Sequence, residues 1–530
     1  MELTDKDLQS VQEARQCAEK AHEAFLKYEE FSQEAVDEIV RAVAVAAFMI
    51  SDKVARMAVE ETGFGKYEDK VIKNIFSSRD VYHYIKDMKT VGVIRRDEAN
   101  KVYEISQPMG VVAALTPSTN PTSTAMYKIL IALKARNAIV IAPHPSATNC
   151  VIETVNVMVD AAKKAGAPDN LIQCMSISTL PGTTELMKHK QTNVILATGG
   201  MGMVRAAYSS GKPAYGVGPG NVPAYIDRSA DIPKAVSDIV AGKSFDYGTV
   251  CASEQSVVCD APVRDQVIEE LKAQKCYLCS DEERAKLEAV MIQPNGAVNP
   301  GIVGRHPQHI ARLAGIQVPD DTKVLVVFLE GVGKDYPLSC EKLSPVLAFY
   351  AVEGWEEGCR KCMDVLEFGG MGHTLTIHCK DENIISEFGL KKPAFRICVN
   401  TSGTHGAIGY STSIAPAMTL GPGTFAGSIT SENISPEHLM HIKRLAYETK
   451  PLGPVSLDVS LAAFDRTSVS RSGGIPEKTG RYSRFDDEPI RVGKSGTAAE
   501  AGKAEKTYGA PSVSDGDIDR ILQEFKRNRP

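Results

Sequence analysis

The residue whose type and surroundings most suggest chemistry is Cys251, in the segment GTVCASEQ at 248–255. It follows a loop-like segment, 243–248, and precedes 255–259, which we predict to be a strand or another buried segment. A thiol on a loop beside a rigid element can be both exposed and held in place, as a nucleophile must be. Alternatively, Cys251 serves only as a small buried apolar side chain, as most free cysteines do. The motifs around Cys251 favour its interpretation as a nucleophile over that of a buried apolar side chain.

Asn120 is a second candidate, in the segment TPSTNP at 116–121 that follows an apolar run. Nucleophilic attack on a carbonyl group places negative charge on its oxygen, and hydrogen-bond donors stabilise that charge. The side-chain amide of an asparagine after a strand can be such a donor. An Asx turn before the proline explains the same residue equally well, so both interpretations stay open.

Three glycine-rich segments could line a nucleotide cleft. They are TGGMG at 198–202, GVGPGN at 216–221 and GGMGHT at 369–374. Glycine allows the backbone to approach a phosphate group or a flat ring closely. None of the three is an intact G-x-G-x-x-G, so a simple tight turn remains the alternative for 198–202. Together with 116–120, they would suffice to line such a cleft.

Composition limits the possible functions. The chain has 530 residues, of which 43% are hydrophobic and 24% charged, as in a soluble globular protein of roughly two to four domains. A net charge of −6 gives no sign of nucleic-acid binding. Because residues 1–5 are acidic and contain no apolar run, we expect no signal peptide, and the longest apolar stretch, 39–50, is too short to span a membrane. Twelve cysteines without a secretion signal indicate a reducing cytosol.

Two Cys-x-x-Cys pairs, Cys276/Cys279 and Cys359/Cys362, are candidates for a metal site. They lie about 80 residues apart, far beyond the spacing of common zinc knuckles. No His-x-x-x-His accompanies them. We interpret the four cysteines as structural thiols and predict no metal.

The elements that must position these residues alternate between strand and helix. Apolar runs without polar alternation predict strands that are covered on both faces, hence a parallel sheet. Four such runs lie at 109–117, 138–142, 171–176 and 193–197. Helices are predicted between them, at 126–135, 147–165 and 181–188. This alternation favours a doubly wound α/β domain.

The remaining segments extend this α/β pattern. Residues 2–88 are predicted to be mainly helical, with Ser32 capping the second helix, and 91–95 with 101–106 to form a hairpin. After 242 we predict a second α/β block, with helices at 263–273 and 281–289 and strands at 322–329, 346–351 and 374–377. From 466 to 513 the composition is that of a flexible linker. Residues 514–530 are predicted to form an amphipathic helix whose apolar face carries Ile518, Ile521, Leu522 and Phe525.

Seven ordered motifs between about residues 10 and 450 resemble the CoA-acylating branch of the aldehyde dehydrogenase superfamily. They are TPSTNPTSTA (116–125), APHPSA (142–147), ATGGMGMV (197–204), GVGPGNVPAYID (216–227), GTVCASEQS (248–256), EKLSPVLAFY (341–350) and FGGMGHT (368–374). The resemblance implies an aldehyde dehydrogenase-like α/β fold in three parts. These parts are a Rossmann-like NAD-binding domain at 1–90 and 108–241, an α/β catalytic domain at 242–415 and a small β-rich oligomerisation element at 91–107 and 416–450. It also implies a homodimer or homotetramer.

The resemblance also implies roles for individual residues. Cys251 matches the nucleophile, Asn120 with the Cys251 amide matches the oxyanion hole, and His373 matches a histidine of acylating members that we expect to be catalytic. The cofactor is expected to be NAD, with coenzyme A as a cosubstrate. The residues expected to bind the nucleotide are Thr116, Pro117, Pro143, His144, Thr198, Gly199, Gly200, Gly218, Pro219, Glu341 and Leu343.

One departure from the wider superfamily is informative. Hydrolytic members carry a glutamate that activates water, whereas the matching segment here, 216–221, contains no carboxylate. Without a positioned base, hydrolysis of a thioester should be slow. We therefore expect CoA-dependent oxidation of an aldehyde to acyl-CoA with reduction of NAD. The alternatives are a hydrolytic aldehyde dehydrogenase, a non-catalytic relative and a Cys/His peptidase.

The C-terminal segment 514–530 resembles the encapsulation peptides of bacterial microcompartment cargo. That resemblance implies binding to shell proteins, a cytoplasmic location inside a microcompartment, and a short aliphatic aldehyde as substrate, propanal first and acetaldehyde second. The alternative is that the segment docks on the enzyme's own body. We expect neither nucleic-acid nor membrane partners.

Overall fold

The structure, a computed structural model, describes residues 4–450. The chain divides into two units, Met1–Val455 and Ser456–Pro530. Because the described residues end at 450, the predicted linker at 466–513 and the predicted amphipathic helix at 514–530 lie outside them. Within 4–450, no helix is both long enough and apolar enough to cross a membrane.

Sixteen α-helices and fifteen strands make up the described part of the chain. The helices are α1 Lys6–Tyr28, α2 Gln33–Met49, α3 Ser51–Thr62, α4 Tyr67–Ile75, α5 Val81–Ile85, α6 Pro121–Lys134, α7 Thr148–Lys164, α8 Leu180–Lys188, α9 Met201–Tyr208, α10 Ile232–Ser244, α11 Arg264–Ala273, α12 Asp281–Met291, α13 Pro307–Leu313, α14 Gly354–Gly369, α15 Glu382–Lys391 and α16 Gly403–Ala407. The strands are β1 Gly92–Asp97, β2 Val102–Pro108, β3 Val111–Leu115, β4 Ala138–Ala142, β5 Ile172–Cys174, β6 Thr192–Thr198, β7 Ala214–Val217, β8 Val222–Ile226, β9 Glu254–Asp260, β10 Cys276–Leu278, β11 Val324–Phe328, β12 Val346–Val352, β13 Gly372–His378, β14 Ala394–Val399 and β15 Met440–Ala446.

The first sheet has five parallel strands in the order β5-β4-β3-β6-β7. Every residue of β3 and β4 is buried, as their uninterrupted apolar runs predict. Strand β3 lies at the centre, where Val111 pairs with Ala138 on one side and Thr192 on the other. Helices connect the strands, so the predicted doubly wound α/β arrangement is confirmed.

The second sheet has seven parallel strands in the order β10-β11-β12-β9-β8-β13-β14. Strand β8 is buried between β9 and β13. The chain therefore passes from the first sheet to the second between Val217 and Val222, ahead of the predicted start of the catalytic domain at 242. Sequence analysis did not predict a strand at 222–226, because this apolar run is short and follows a glycine-rich segment.

The third sheet is small and antiparallel, with the order β1-β2-β15. The predicted hairpin forms its first two strands. Strand β15 pairs along the whole of β2, from Met440 opposite Pro108 to Ala446 opposite Val102. The segments 91–107 and 416–450, which are far apart in sequence, thus contribute to one sheet.

Local structure departs from expectation near the candidate residues. The segment 243–248 is not a plain loop: Lys243 and Ser244 end α10, and 245–248 form a 3-10 turn. Asp246 and Tyr247 have φ of 47° and 53° in this turn, a conformation that is uncommon for residues other than glycine. Segment 369–374 is a junction between α14 and β13 rather than a free loop. The predicted Ser32 cap of α2 is confirmed, because its side chain accepts a hydrogen bond from the Ala35 amide.

Candidate active site

A cavity of about 770 Å³ opens at the carboxyl ends of four strands of the five-stranded sheet. Residues that directly follow β3, β4, β6 and β7 line it. Ligands of open parallel sheets bind at this edge, where the loops converge. All the predicted site residues except His373 line this cavity: Thr116, Pro117, Asn120, Pro143, His144, Thr198, Gly199, Gly200, Gly218, Pro219, Cys251, Glu341 and Leu343.

One part of the lining suits a phosphate-containing nucleotide. Gly200 is the N-cap of α9, and a Cβ atom added to Gly200 or Gly202 would meet no atom within 4 Å. The amides of a helix N-terminus attract anions, and the open space allows close approach to the backbone. The hydroxyls of Thr116 and Thr124 are buried in the lining without a hydrogen-bond partner among residues 4–450. Buried hydroxyls normally have partners, so these two suit a polar ligand.

Cys251 lies between the 3-10 turn at 245–248 and β9, and its side chain is partly exposed to the cavity. Burial and, second, the negative charge of Glu341 raise the pKa of its thiol to about 12. The nearby Arg396 and the backbone amides of Cys251 and Ala252 oppose this effect. The thiol is therefore neutral at pH 7 in this state, and reaction requires removal of its proton.

Glu341 is the only carboxylate in the lining formed by residues 4–450. It accepts a hydrogen bond of 2.8 Å from the Gly220 amide. Burial raises the pKa of Glu341 to about 7, although that hydrogen bond and the buried Lys243 and Lys342 oppose the rise. Its charge therefore changes near neutral pH, and this change acts on the adjacent thiol.

Asn120 precedes the first residue of α6, but its side chain caps none of the helix amides. The side-chain contacts of Asn120 thus do not support the Asx-turn interpretation. Its amide nitrogen donates to the Thr249 carbonyl at 3.2 Å and to the Thr119 hydroxyl at 3.1 Å. Its amide oxygen accepts a hydrogen bond from Lys73. The amide nitrogen is therefore directed toward the segment that carries Cys251.

His373 is fully buried and does not line the cavity, unlike the other predicted site residues. Its Nδ1 lies 3.0 Å from the Thr374 hydroxyl, and its Nε2 has no partner in the described part of the chain. Burial and the nearby Arg396 lower its pKa to about 3, so the ring is neutral. A Cβ atom added to Gly220 would lie 2.4 Å from the Cys251 carbonyl oxygen and 2.9 Å from the His373 ring. His373 thus lies behind Gly220, close to the backbone of Cys251.

Sequence analysis missed two groups of residues around the site. One is the buried ionic cluster formed by Lys70, Lys73 and Asp246. Lys70 and Lys73 share one face of α4, and this spacing was the available signal. The other group is apolar and lines the same cavity; it consists of Phe64, Val298, Val303 and Ile408. These residues come from separate segments, so local patterns could not identify them.

The described residues contain no group of three His, Cys, Asp or Glu side chains placed to hold a metal ion. The four cysteines of the two Cys-x-x-Cys pairs are buried and free. Cys276 and Cys279 lie at β10, whereas Cys359 and Cys362 lie within α14. The two pairs therefore belong to separate elements of the fold.

Comparison with known proteins places this geometry in a family. The model of the aldehyde dehydrogenase family matches residues 2–286. Aldehyde-alcohol dehydrogenase 2 of Entamoeba histolytica is 44% identical over 442 residues, which are 81% of this chain and 51% of that protein. The chain spans about half the length of this and similar curated aldehyde-alcohol dehydrogenases.

Two solved structures agree with this assignment. An acetylating aldehyde dehydrogenase from Geobacillus thermoglucosidasius superposes with a TM-score of 0.84 at 52% identity, over 85% of this chain and 100% of that one. A propionaldehyde dehydrogenase from a Clostridium phytofermentans fucose-utilisation microcompartment superposes with a TM-score of 0.75 at 27% identity, over 82% and 97% of the two chains. The chain belongs to the aldehyde dehydrogenase family, in its CoA-acylating branch.

Proposed function

We propose that this protein oxidises a short aliphatic aldehyde to acyl-CoA with NAD as the oxidant, through a thioester on Cys251. The observation that carries the proposal is the joint lining of one cavity by the Cys251 thiol, the Asn120 amide and a nucleotide-compatible glycine segment. A thiol nucleophile, a donor for negative charge and a place for a hydride acceptor are the parts that this oxidation needs. The names of the acetylating and propionaldehyde-oxidising relatives support it.

The glycine backbone, the helix N-terminus and the hydroxyls of the lining that are unpaired within residues 4–450 suit NAD. The residues that would hold it are the 198–202 segment with the N-terminus of α9, the strand-end residues Thr116 and Pro143, and Glu341. When bound, NAD supplies the acceptor for the hydride that leaves the substrate carbon. The choice between NAD and NADP is tested by measuring kcat/KM for each with the same aldehyde.

The residues of this chain would act in sequence on the aldehyde. The Cys251 sulfur loses its proton and bonds to the carbonyl carbon, which gives a hemithioacetal. The amide nitrogen of Asn120 and the backbone amide of Cys251 donate hydrogen bonds to the oxygen while it carries negative charge. The hemithioacetal carbon would then give up a hydride to the oxidised nicotinamide cofactor and its oxygen a proton to water, which leaves a thioester on Cys251. The thiol of CoA attacks this thioester, acyl-CoA leaves, and Cys251 regains its proton.

The hydrolytic alternative would need a base that activates water at the thioester. The segment 216–221 lines the cavity with Val217, Gly218 and Pro219 and offers no carboxylate there. Glu341 is the remaining acidic group of the lining, and the Gly220 amide already binds it. These contacts favour transfer of the acyl group to CoA.

The deciding experiment measures how NADH formation from propanal depends on CoA. We expect sustained NADH formation with CoA and, without CoA, at most a single turnover that ends at the thioester. Continuous turnover to propionate without CoA would instead establish the hydrolytic alternative. Parallel kcat/KM values for propanal and acetaldehyde test the proposed preference for propanal.

We further propose that the enzyme is a homodimer or homotetramer and works inside a cytoplasmic bacterial microcompartment. The small three-stranded sheet supports the first part, because both of its outer strands, β1 and β15, pair on one side only among the described residues. The sequence of 514–530 and the microcompartment origin of one relative support the second. Shell proteins would be the partners of this C-terminal segment.

A further inference from the structure

We propose that Lys73 is a positioning residue that fixes which end of the Asn120 side-chain amide is directed toward Cys251. The inference rests on the proposed role of Asn120 as a donor to the substrate oxygen. The two ends of an asparagine amide are nearly identical in shape, but only the nitrogen can donate. A reversed amide would present its oxygen to the developing negative charge and would oppose the reaction. A device that selects one orientation therefore contributes directly to the rate.

Lys73 meets the chemical requirement for such a device. Its ammonium group is buried, donates to the Asn120 Oδ1 atom and to Asp246 Oδ2, and lies 3.5 Å from the Thr249 hydroxyl. Burial lowers its pKa to about 8, and Asp246 opposes this fall, so Lys73 keeps its proton at neutral pH. A protonated lysine has donors and no acceptor, so the Asn120 oxygen must point toward it.

The same cluster holds the groups on both sides of the Asn120 nitrogen. Asp246 Oδ2 accepts hydrogen bonds from the Thr249 hydroxyl at 2.6 Å and from Lys70 at 3.1 Å. Lys70 also donates to the Thr119 carbonyl at 3.0 Å. Thr119 and Thr249 are the residues to which the Asn120 nitrogen donates. The cluster thus holds in place both the Asn120 amide and the two oxygens that accept its hydrogen bonds when no substrate is bound. The substrate oxygen would replace one of these two acceptors.

The backbone around Asp246 is built to deliver its carboxylate to this point. Asp246 adopts a φ of 47°, and its Oδ1 accepts the Lys66 amide at 2.7 Å. A Cβ atom added to Gly65 would lie 2.0 Å from that oxygen, so only glycine allows this close approach. Helix α4 then places Lys70 and Lys73 on the same side of the carboxylate. Residues from three segments therefore converge on the orientation of one side chain.

The test compares the variants K73M and N120A and the double variant. If Lys73 acts through Asn120, K73M lowers kcat by roughly tenfold to a hundredfold, since loss of an oxyanion donor costs about 100- to 1000-fold. The KM for NAD stays unchanged, because Lys73 does not line the cavity. The double variant has the kcat of N120A alone, because no amide remains to be oriented.

The matched control is K134M, since Lys134 is also buried and pairs with Asp37 but lies outside the cavity lining. K134M should lower the thermal midpoint and leave kcat unchanged. If K73M does not fold, K73Q replaces it, with a smaller expected loss because glutamine can both donate and accept. Two results would overturn the inference about Lys73 and leave the proposed role of Asn120 intact. One is a wild-type kcat in K73M. The other is a double variant whose fold-loss in kcat equals the product of the losses in K73M and N120A. Wild-type kcat in N120A would remove the proposed role of Asn120 and the inference with it.

Discussion

At the scale of single residues, the environment of Cys251 determines when the thiol can react. Burial and the Glu341 carboxylate both raise its pKa, whereas Arg396 and two backbone amides lower it. Arg396 is itself buried and donates to the carbonyls of Ser431, Gly372 and Gly421. The reactivity of the thiol therefore depends on a balance of buried charges, and changes to those charges should be measurable at Cys251 itself.

The proposed role of Cys251 as the nucleophile can be tested by replacing this residue. C251A should abolish NADH formation and retain NAD binding, because the thiol makes the covalent bond but is not expected to hold the nucleotide. The control is C174A, since Cys174 is also partly exposed but does not line the cavity. C174A should keep full activity. Residual turnover of C251A above about 1% of the wild type would contradict the covalent mechanism.

The influence of Glu341 on Cys251 predicts a pH-dependent effect of E341Q. Near pH 8 Glu341 is charged in the wild type and raises the thiol pKa, so removal of that charge should increase the thiolate fraction. We expect iodoacetamide to alkylate Cys251 about three to ten times faster in E341Q at pH 8, without NAD. Near pH 5.5 Glu341 is protonated, and the two rates should converge.

Glu254 provides a matched control for this measurement. It is buried, its pKa is also raised to about 7 by burial, and it accepts the Gly403 amide instead of lining the cavity. E254Q should therefore leave the alkylation rate of Cys251 unchanged. Equal rates for E341Q and the wild type at pH 8 would show that Glu341 does not control the thiol.

At the scale of elements, the buried strands were the most predictable part of the chain. Strands β3, β4 and β6 follow from apolar runs that need both faces covered. The turn at 245–248 was not predictable, because the left-handed conformations of Asp246 and Tyr247 depend on contacts with α4 from more than 170 residues earlier, such as the Lys70–Asp246 pair. The motif that resembles the family was enough to predict a role for Asn120. The cluster of Lys70, Lys73 and Asp246 was not predictable, because its members come from segments that are distant in sequence.

The end of β7 offers a test of the absent base. Val217 is the last residue of β7 and lines the cavity. A carboxylate introduced there by V217E should raise CoA-independent formation of propionate by roughly tenfold or more, since a positioned general base contributes about 100-fold or more. Quantifying propionate together with NADH in the absence of CoA measures the effect.

V217Q is the control for size and polarity, and it should not increase hydrolysis. Efficient propionate formation by the unmodified enzyme without CoA would refute the argument from the missing carboxylate. Equal increases in V217E and V217Q would assign the effect to water access instead of base catalysis.

At the scale of the whole molecule, catalysis and targeting should be separable. The cavity and all the residues assigned to it lie within 4–450, whereas the C-terminal segment lies beyond the described residues. Deletion of 510–530 should therefore leave kcat and KM unchanged and abolish co-purification with shell protein. The expected cause is loss of the apolar helix face that the sequence predicts from Ile518, Ile521, Leu522 and Phe525.

A full-length variant refines this test. I521D/L522D keeps the chain length and adds charge only to the predicted apolar face, so it should reproduce the loss of shell binding. A deletion that destroys activity would favour docking of this segment on the enzyme's own body. Encapsulation that persists in both variants would exclude the segment as the targeting signal.

The passage from the first sheet to the second has a consequence for engineering the substrate range. Gly220 lies in this passage, and a side chain there would collide with the Cys251 carbonyl and the His373 ring. Its amide also binds Glu341. Saturation libraries aimed at larger aldehydes should therefore leave position 220 fixed and vary the half-buried lining residues Val298 and Val303. Any side chain at 220 should lower turnover of every aldehyde, because it would displace the backbone of Cys251 itself.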